Sequence, residues 1–180
     1  MAAELDNLTL VLGGARSGKS RLAERVVRAT GGRKVYIATA EAWDAEMTDR
    51  IARHRTDRGA GWHTLETPRD LCGALAGLSK DDAVLIDCAT LWLSNLMHAG
   101  EDPAVATADL LGCIACCPAS VIIVSNEVGQ GIVPENALAR TFRDEQGRLN
   151  QRLAEAAGRV IVVFAGLPMA LKGALPALAP

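Results

Sequence analysis

The chain has 180 residues, a formal net charge of −2, and 49% hydrophobic against 22% charged residues. This suits one globular domain with a single sizeable core, and the slightly acidic balance argues against a general nucleic-acid surface. No stretch has the length and apolarity of a membrane span, and the first residues, Met1 to Asn7, lack the basic and hydrophobic regions of a signal peptide, so the expected location is cytoplasmic.

In chain order, the apolar run Leu8-Thr9-Leu10-Val11-Leu12 predicts a buried strand. It leads into Gly13-Gly14-Ala15-Arg16-Ser17-Gly18-Lys19-Ser20, which fits G-x-x-x-x-G-K-[ST] at every position, and helical spacing continues from Ser20 through Arg21 to Val27. A strand, a glycine-rich turn and a helix N-terminus in succession make a phosphate cradle, because backbone N–H groups and the helix dipole converge on one anion. Gly13, Gly14, Ala15, Arg16, Ser17, Gly18, Lys19, Ser20 and Arg21 are therefore the candidate nucleotide-binding residues of this segment. Lys19 would reach the terminal phosphates of a nucleoside triphosphate, and the Ser20 hydroxyl would sit on Mg²⁺.

A second strand is expected over residues 34–38, then a helix over about 44–55 and a short strand over 62–66. Thr67 and Pro68 are expected as N-cap and first residue of the next helix. The buried strand Ala83-Val84-Leu85-Ile86-Asp87-Cys88 ends in an acid, where nucleotide-binding folds place a carboxylate that holds Mg²⁺. A helix opened by Asp102-Pro103 should fade near Cys117-Pro118. A core strand over 121–125, a long helix over 136–157 and a strand over 160–164 close the pattern, and the tail over 170–180 is expected to be poorly ordered. Apolar strands alternating with helices predict an α/β fold: a mostly parallel sheet with helices on both faces.

The stretch around Met47, Ile51 and His54 puts these three residues on one helical face, with Arg50, Arg53, Arg55 and Arg58 around the histidine. Two accounts stand: a histidine favoured near a helix C-terminus by the dipole, or an imidazole kept neutral by adjacent cations and able to attack phosphorus. His63 is read as a strand residue facing solvent or a neighbour, and His98 as lying in a loop-like stretch. Glu66 ends its strand at the edge expected to face the nucleotide, and a contact with sugar or base is open to it. The segment from Ser125 to Asn136 follows a core strand and suits a ligand crevice. Arg140, Arg143 and Arg148 on the following helix either meet phosphate or form a solvated face. The five cysteines do not suggest a secreted disulfide scaffold, and Cys113, Cys116 and Cys117 read as packing residues of a helix end.

Taken together, these residues resemble the bifunctional adenosylcobinamide kinase / adenosylcobinamide-phosphate guanylyltransferase family of cobalamin synthesis. The resemblance rests on the loop Gly13 to Arg21, Tyr36-Ile37-Ala38-Thr39, Glu46-Met47 through Arg50-Ile51 to His54, and Leu85-Ile86-Asp87-Cys88 with Thr90-Leu91-Trp92-Leu93-Ser94-Asn95-Leu96. It continues in Asn126-Glu127-Val128-Gly129 through Pro134-Glu135-Asn136, and in Phe142-Arg143-Asp144 through Gly147-Arg148-Leu149-Asn150-Gln151-Arg152. It implies a RecA-like P-loop fold, a homotrimer, and two reactions: phosphorylation of adenosylcobinamide with ATP or GTP, then transfer of GMP from GTP to the phosphate. It implies His54 as the residue that carries the guanylyl group; some members have two adjacent histidines there, and here the first position is Arg53. Ala38, Thr39, Ala40, Arg55 and Arg58, with Glu66 and Asp87, complete the nucleotide-binding set, and Ser20 and Asp87 the Mg²⁺ set. For the kinase step Asp87 and Glu127 both stand as candidate bases, and positioning alone can suffice. A P-loop small-molecule kinase without guanylyl transfer and a RecA-like ATP-binding module are the alternatives.

Overall fold

The computed structural model describes residues 5–41, 49, 52, 56 and 59–178. Among the described residues, seven strands form one sheet: β1 (Leu5–Gly13), β2 (Arg33–Ala38), β3 (Trp62–Glu66), β4 (Asp82–Asp87), β5 (Ser120–Asn126), β6 (Ala157–Phe164) and β7 (Leu167–Lys172), in the order β3-β2-β4-β5-β1-β6-β7. All pairings are parallel except the β6–β7 hairpin. The described helices are α1 (Lys19–Ala29), α2 (Leu71–Ala76), α3 (Ala89–His98), α4 (Pro103–Cys116) and α5 (Ala137–Ala156). Asp49, Ala52 and Thr56 are helical as well, while the rest of the expected helix over 44–55, His54 included, lies outside the described residues.

Strand alternation assigns each side chain to one of two cores. Leu8, Leu10, Val84, Ile86, Val121 and Ile123 face the layer of α2 to α5, where Trp92, Leu93, Leu110, Ile114, Leu149 and Leu153 cover them. Val11, Leu85, Ile122, Val124 and Ile161 face the other way, onto Leu22, Ala23, Val26 and Val27 of α1. Each fully buried Leu, Ile or Val side chain among them stabilises the fold by roughly 1.5–3 kcal/mol. The expected parallel sheet covered on both faces is therefore present, and its C-terminal edge, from which the loops after β1, β2, β4 and β5 emerge, is where ligands bind in such sheets.

Local details depart from the sequence reading. The N-cap of α2 is Asp70, whose Oδ1 accepts from the Gly73 N–H at 2.8 Å, and not Thr67. The Thr67 N–H is held by the Ala38 carbonyl at 3.0 Å, which keeps that residue at the end of the sheet, and its hydroxyl donates to the Asp70 carbonyl at 3.1 Å. His98 is the last residue of α3, not part of a loop; its Nδ1 lies 2.7 Å from the Ser94 carbonyl one turn back. Residues 170–172, expected in a loose tail, belong to β7, which completes a hairpin with β6 through a turn at Ala165 and Gly166, both at positive φ. Cys113 packs against the core as expected, and it also forms a disulfide with Cys72, 41 positions away, because α2 and α4 lie side by side with the two Cα atoms 5.6 Å apart.

Candidate functional site

The loop after β1 is built by its own backbone. Gly13 is buried, and a Cβ there would meet Ser17 Oγ at 2.5 Å and the Val163 carbonyl at 2.7 Å, so a side chain cannot be accommodated. Arg16 and Gly18 sit at φ 56 and 96, the left-handed conformation that turns the chain back into α1. The Ser17 N–H closes the turn on the Gly14 carbonyl at 3.3 Å, and the Ser17 carbonyl accepts from the Gly166 N–H at 3.0 Å, which ties the loop to the β6–β7 turn. Gly18 is the N-cap of α1 and supplies no side-chain cap, so the positive end of the helix dipole points into the loop. Lys19 is buried and folds back so that Nζ donates to the Gly14 carbonyl at 3.0 Å.

One polar atom of this loop, Ser17 Oγ, is buried without a hydrogen-bond partner. An orphaned hydroxyl in a glycine-rich turn at a helix N-terminus, with Lys19 folded back onto the same turn, has the chemistry of a phosphate site. Ala15, Arg16 and Arg21 are exposed around it, and Ser20 is half-buried at the first turn of α1.

Asp87 ends β4, and its Oδ2 accepts from the Tyr36 hydroxyl at 3.1 Å. The next residue, Cys88, is joined to Asp87 by a cis peptide bond and is fastened by Thr39, whose hydroxyl accepts from the Cys88 N–H at 2.7 Å and donates to its carbonyl at 2.9 Å. Thr39 is fully buried, so its side chain serves the sheet end that carries Asp87. The Cys88 thiol is pushed up to about 11, by burial first and by the neighbouring Asp87 charge second, which keeps it protonated and not nucleophilic. The Ser20 hydroxyl and the Asp87 carboxylate are hard oxygen donors of the kind Mg²⁺ takes. Together with the phosphate-shaped loop they fit that ion; when bound to nucleotide it would neutralise phosphate charge.

Other expected site residues are placed less closely. Ala38 and Ala40 flank Thr39 at the end of β2 and are half-buried. Glu66 is exposed at the end of β3, the edge strand, four strand spacings from β1, roughly 19 Å. The structure thus does not bring it beside the phosphate loop. Arg140 Nη1 donates to the carbonyls of Pro134 and Glu135 at 3.0 and 2.5 Å, Arg143 pairs with Asp144 at 3.0 Å, and Arg148 pairs with Glu145. These arginines brace the loop before α5 and the helix surface. His54, Arg55 and Arg58 lie outside the described residues.

Sequence reasoning missed a buried polar cluster behind the end of β5. Ser125 and Gln146 are fully buried and Asn150 nearly so. Ser125 Oγ donates to Asn150 Oδ1 at 2.6 Å, and Gln146 Nε2 donates to Ser125 Oγ at 2.9 Å and to Asn150 Oδ1 at 3.0 Å. The signal available was the spacing of Gln146, Leu149, Asn150 and Leu153, which puts two amides on the core face of the long helix.

Comparison with known proteins agrees with this geometry. Residues 9–171 match the family described as cobinamide kinase / cobinamide phosphate guanyltransferase. The chain is 49% identical over 168 residues to the bifunctional adenosylcobalamin biosynthesis protein CobP of Pseudomonas aeruginosa, covering 91% of this chain and 96% of that one. It is 45% identical over 181 aligned residues to the bifunctional adenosylcobalamin biosynthesis protein CobU of Salmonella typhimurium, covering 92% and 99%. Among solved structures it is similar to the P4 protein of bacteriophage phi6 in complex with ADP, with 17% identity and a TM-score of 0.52, over 90% of this chain and 53% of that one, about half its length. A second likeness is to the flagellar accessory protein FlaH of Methanocaldococcus jannaschii, with 13% identity and a TM-score of 0.51, over 94% and 80%. At those identities the structural likeness concerns the fold alone, a P-loop, RecA-like sheet. The chain belongs to the cobinamide kinase / cobinamide phosphate guanyltransferase family.

Proposed function

We propose that this chain carries out both reactions of its family: it phosphorylates the aminopropanol hydroxyl of adenosylcobinamide with ATP or GTP, then transfers GMP from GTP to that phosphate, giving adenosylcobinamide-GDP. The observation that carries the reading is the phosphate loop with its orphaned Ser17 hydroxyl and inward Lys19, within a chain that matches this family over residues 9–171. Arg16, Ser17, Lys19 and Ser20 bind the triphosphate, Lys19 stabilises charge on the transferred group, and Ser20 with Asp87 holds Mg²⁺.

For the second reaction the nucleophile is His54, a reading supported by the resemblance and by the arginines around it in sequence. Its ring nitrogen bonds the α-phosphorus of GTP as the bond to pyrophosphate breaks, and the pyrophosphate leaves with the electron pair. The substrate phosphate then displaces the imidazole, so one transfer becomes two easier displacements. Arg55 and Arg58 gather phosphate oxygens in this reading.

One nucleotide-binding domain would suffice for both steps, working in the cytoplasm as a homotrimer. Two apolar surfaces favour self-association: Ile132, Val133 and Leu138 around the start of α5, and Phe164, Leu167, Met169 and Leu171 on the β6–β7 hairpin, all more than 55% exposed. Among the described residues no helix is long and apolar enough to cross a membrane.

The deciding experiment is mass spectrometry after incubation with GTP and Mg²⁺. The expected result is a GMP adduct on His54 that acid hydrolyses and alkali spares, absent from His54→Ala, whose phosphorylation of adenosylcobinamide persists at least in part. Label from α-³²P-GTP on the His54→Ala protein, or none on the unmutated protein, would refute the guanylyl assignment and leave a P-loop kinase.

A further inference from the structure

β5 lies between β1, which carries the phosphate loop, and β4, which ends in Asp87. Its last residue, Asn126, stands opposite Gly13 in the β1–β5 ladder, so the turn that follows leaves the sheet between the loop and the acid. The main chain at the start of that turn is held by three hydrogen bonds. The Asn126 N–H donates to Thr90 Oγ1 at 2.8 Å, the Asn126 carbonyl accepts from Asn150 Nδ2 at 3.0 Å, and the Glu127 N–H donates to the Gly13 carbonyl at 3.2 Å.

Behind the turn lies the Ser125–Gln146–Asn150 cluster. Gln146 Oε1 has no hydrogen-bond partner there, so the cluster carries an unsatisfied buried acceptor that an apolar core would not. What the cluster does provide is a fixed Asn150, whose Nδ2 holds the Asn126 carbonyl immediately before Glu127. Glu127 is half-buried, and its Oε1 accepts from the Gly129 N–H at 3.0 Å, which orients the group. Asp87 is engaged by Tyr36 and is the acid that suits Mg²⁺, and Glu66 is at the far edge strand. Among the described residues, Glu127 is therefore a carboxylate that the fold places next to the phosphate loop itself.

We propose that Glu127 is the general base of the kinase step, with Ser125, Gln146 and Asn150 as its positioning residues. This rests on the kinase reading given above. A carboxylate oxygen of Glu127 takes the proton of the acceptor hydroxyl while that oxygen bonds the γ-phosphorus. The bond from the γ-phosphorus to the bridging oxygen breaks, its electron pair leaves with the nucleoside diphosphate, and Glu127 later releases the proton to water. Guanylyl transfer has no such need, because an imidazole lone pair and an already ionised phosphate are its nucleophiles.

The two activities therefore separate the assignment from a structural role. Glu127→Gln keeps shape and loses the base; the expected result is a kinase kcat lower by about 100-fold or more. Guanylyl transfer to preformed adenosylcobinamide phosphate should fall by less than about 5-fold and serves as the control for folding. Glu127→Asp should recover part of the kinase rate, and Gln146→Leu should lower kinase kcat while the KM for GTP stays within about 2-fold. Kinase activity of Glu127→Gln within about 5-fold of the unmutated chain, or an equal loss of both activities, would overturn the assignment. An unmutated protein that transfers no phosphate to adenosylcobinamide would overturn the kinase reading, and this assignment with it.

Discussion

Thr39 and Cys88 are joined twice through one hydroxyl: Thr39 Oγ1 accepts from the Cys88 N–H at 2.7 Å and donates to the Cys88 carbonyl at 2.9 Å. Both groups are buried, and the bond fastens the end of β2 to the residue that follows Asp87. Asn95 Nδ2 adds a bond to the Thr39 carbonyl at 2.8 Å from α3, so three elements meet at one threonine. The position of the candidate Mg²⁺ carboxylate thus depends on a side chain bonded to the next residue, Cys88.

Thr39→Val keeps the volume and strands the Cys88 N–H and carbonyl. The expected cost is about 1–3 kcal/mol, seen as a lower midpoint in urea unfolding. A midpoint unchanged within error would show that water or a backbone shift replaces the hydroxyl.

Lys19→Ala should abolish both phosphate and guanylyl transfer, since both draw on a triphosphate in the same loop. Loss of its charge-assisted contacts removes about 1.5–3 kcal/mol of nucleotide binding and more in the transition state. The measurement is the rate of each reaction with GTP; a near-normal kinase rate would mean that the two reactions do not share this loop.

Asp87→Asn should shift the Mg²⁺ dependence of both reactions to higher concentration while far-UV circular dichroism stays unchanged, because the amide keeps shape and loses charge. Activity measured against Mg²⁺ concentration decides it. Superimposable curves would make Asp87 an acid that only accepts from Tyr36.

Asp82 gives the fold an acid-sensitive tie. Its buried carboxylate accepts from Arg33 Nε at 2.6 Å, and from the Ser79 N–H and hydroxyl at 2.7 and 3.0 Å. The Arg33 hydrogen bond, acting against burial, holds its carboxyl well below the usual carboxylate range. A carboxyl depressed in the folded state contributes stability that is full above the unfolded pKa of about 3.9 and is lost as pH falls through that value toward the folded one. Asp82→Asn should therefore cost about 1.5–3 kcal/mol near neutral pH, with the gap to the unmutated protein closing below about pH 4 in pH-dependent unfolding. A gap that stays constant across that range would assign the loss to packing.

The sequence by itself determined the parts that depend on neighbours in the chain. The loop from Gly13 to Ser20 was legible because a phosphate cradle is a local object, made of consecutive amides and one helix start. The strands ending in Asp87 and Asn126 were legible because buried parallel strands read as continuous apolar runs. Tertiary structure alone decided what depends on distant partners. The disulfide needed α2 beside α4, and the role of Thr39 needed β2 beside β4. The distance of Glu66 from the loop followed from strand order, which no local pattern encodes. The α2 cap moved to Asp70 because the ladder held Thr67 at the sheet. The place of Glu127 came from β5 slotting between β1 and β4, a choice made by packing two cores across one sheet and invisible to residue spacing along the chain.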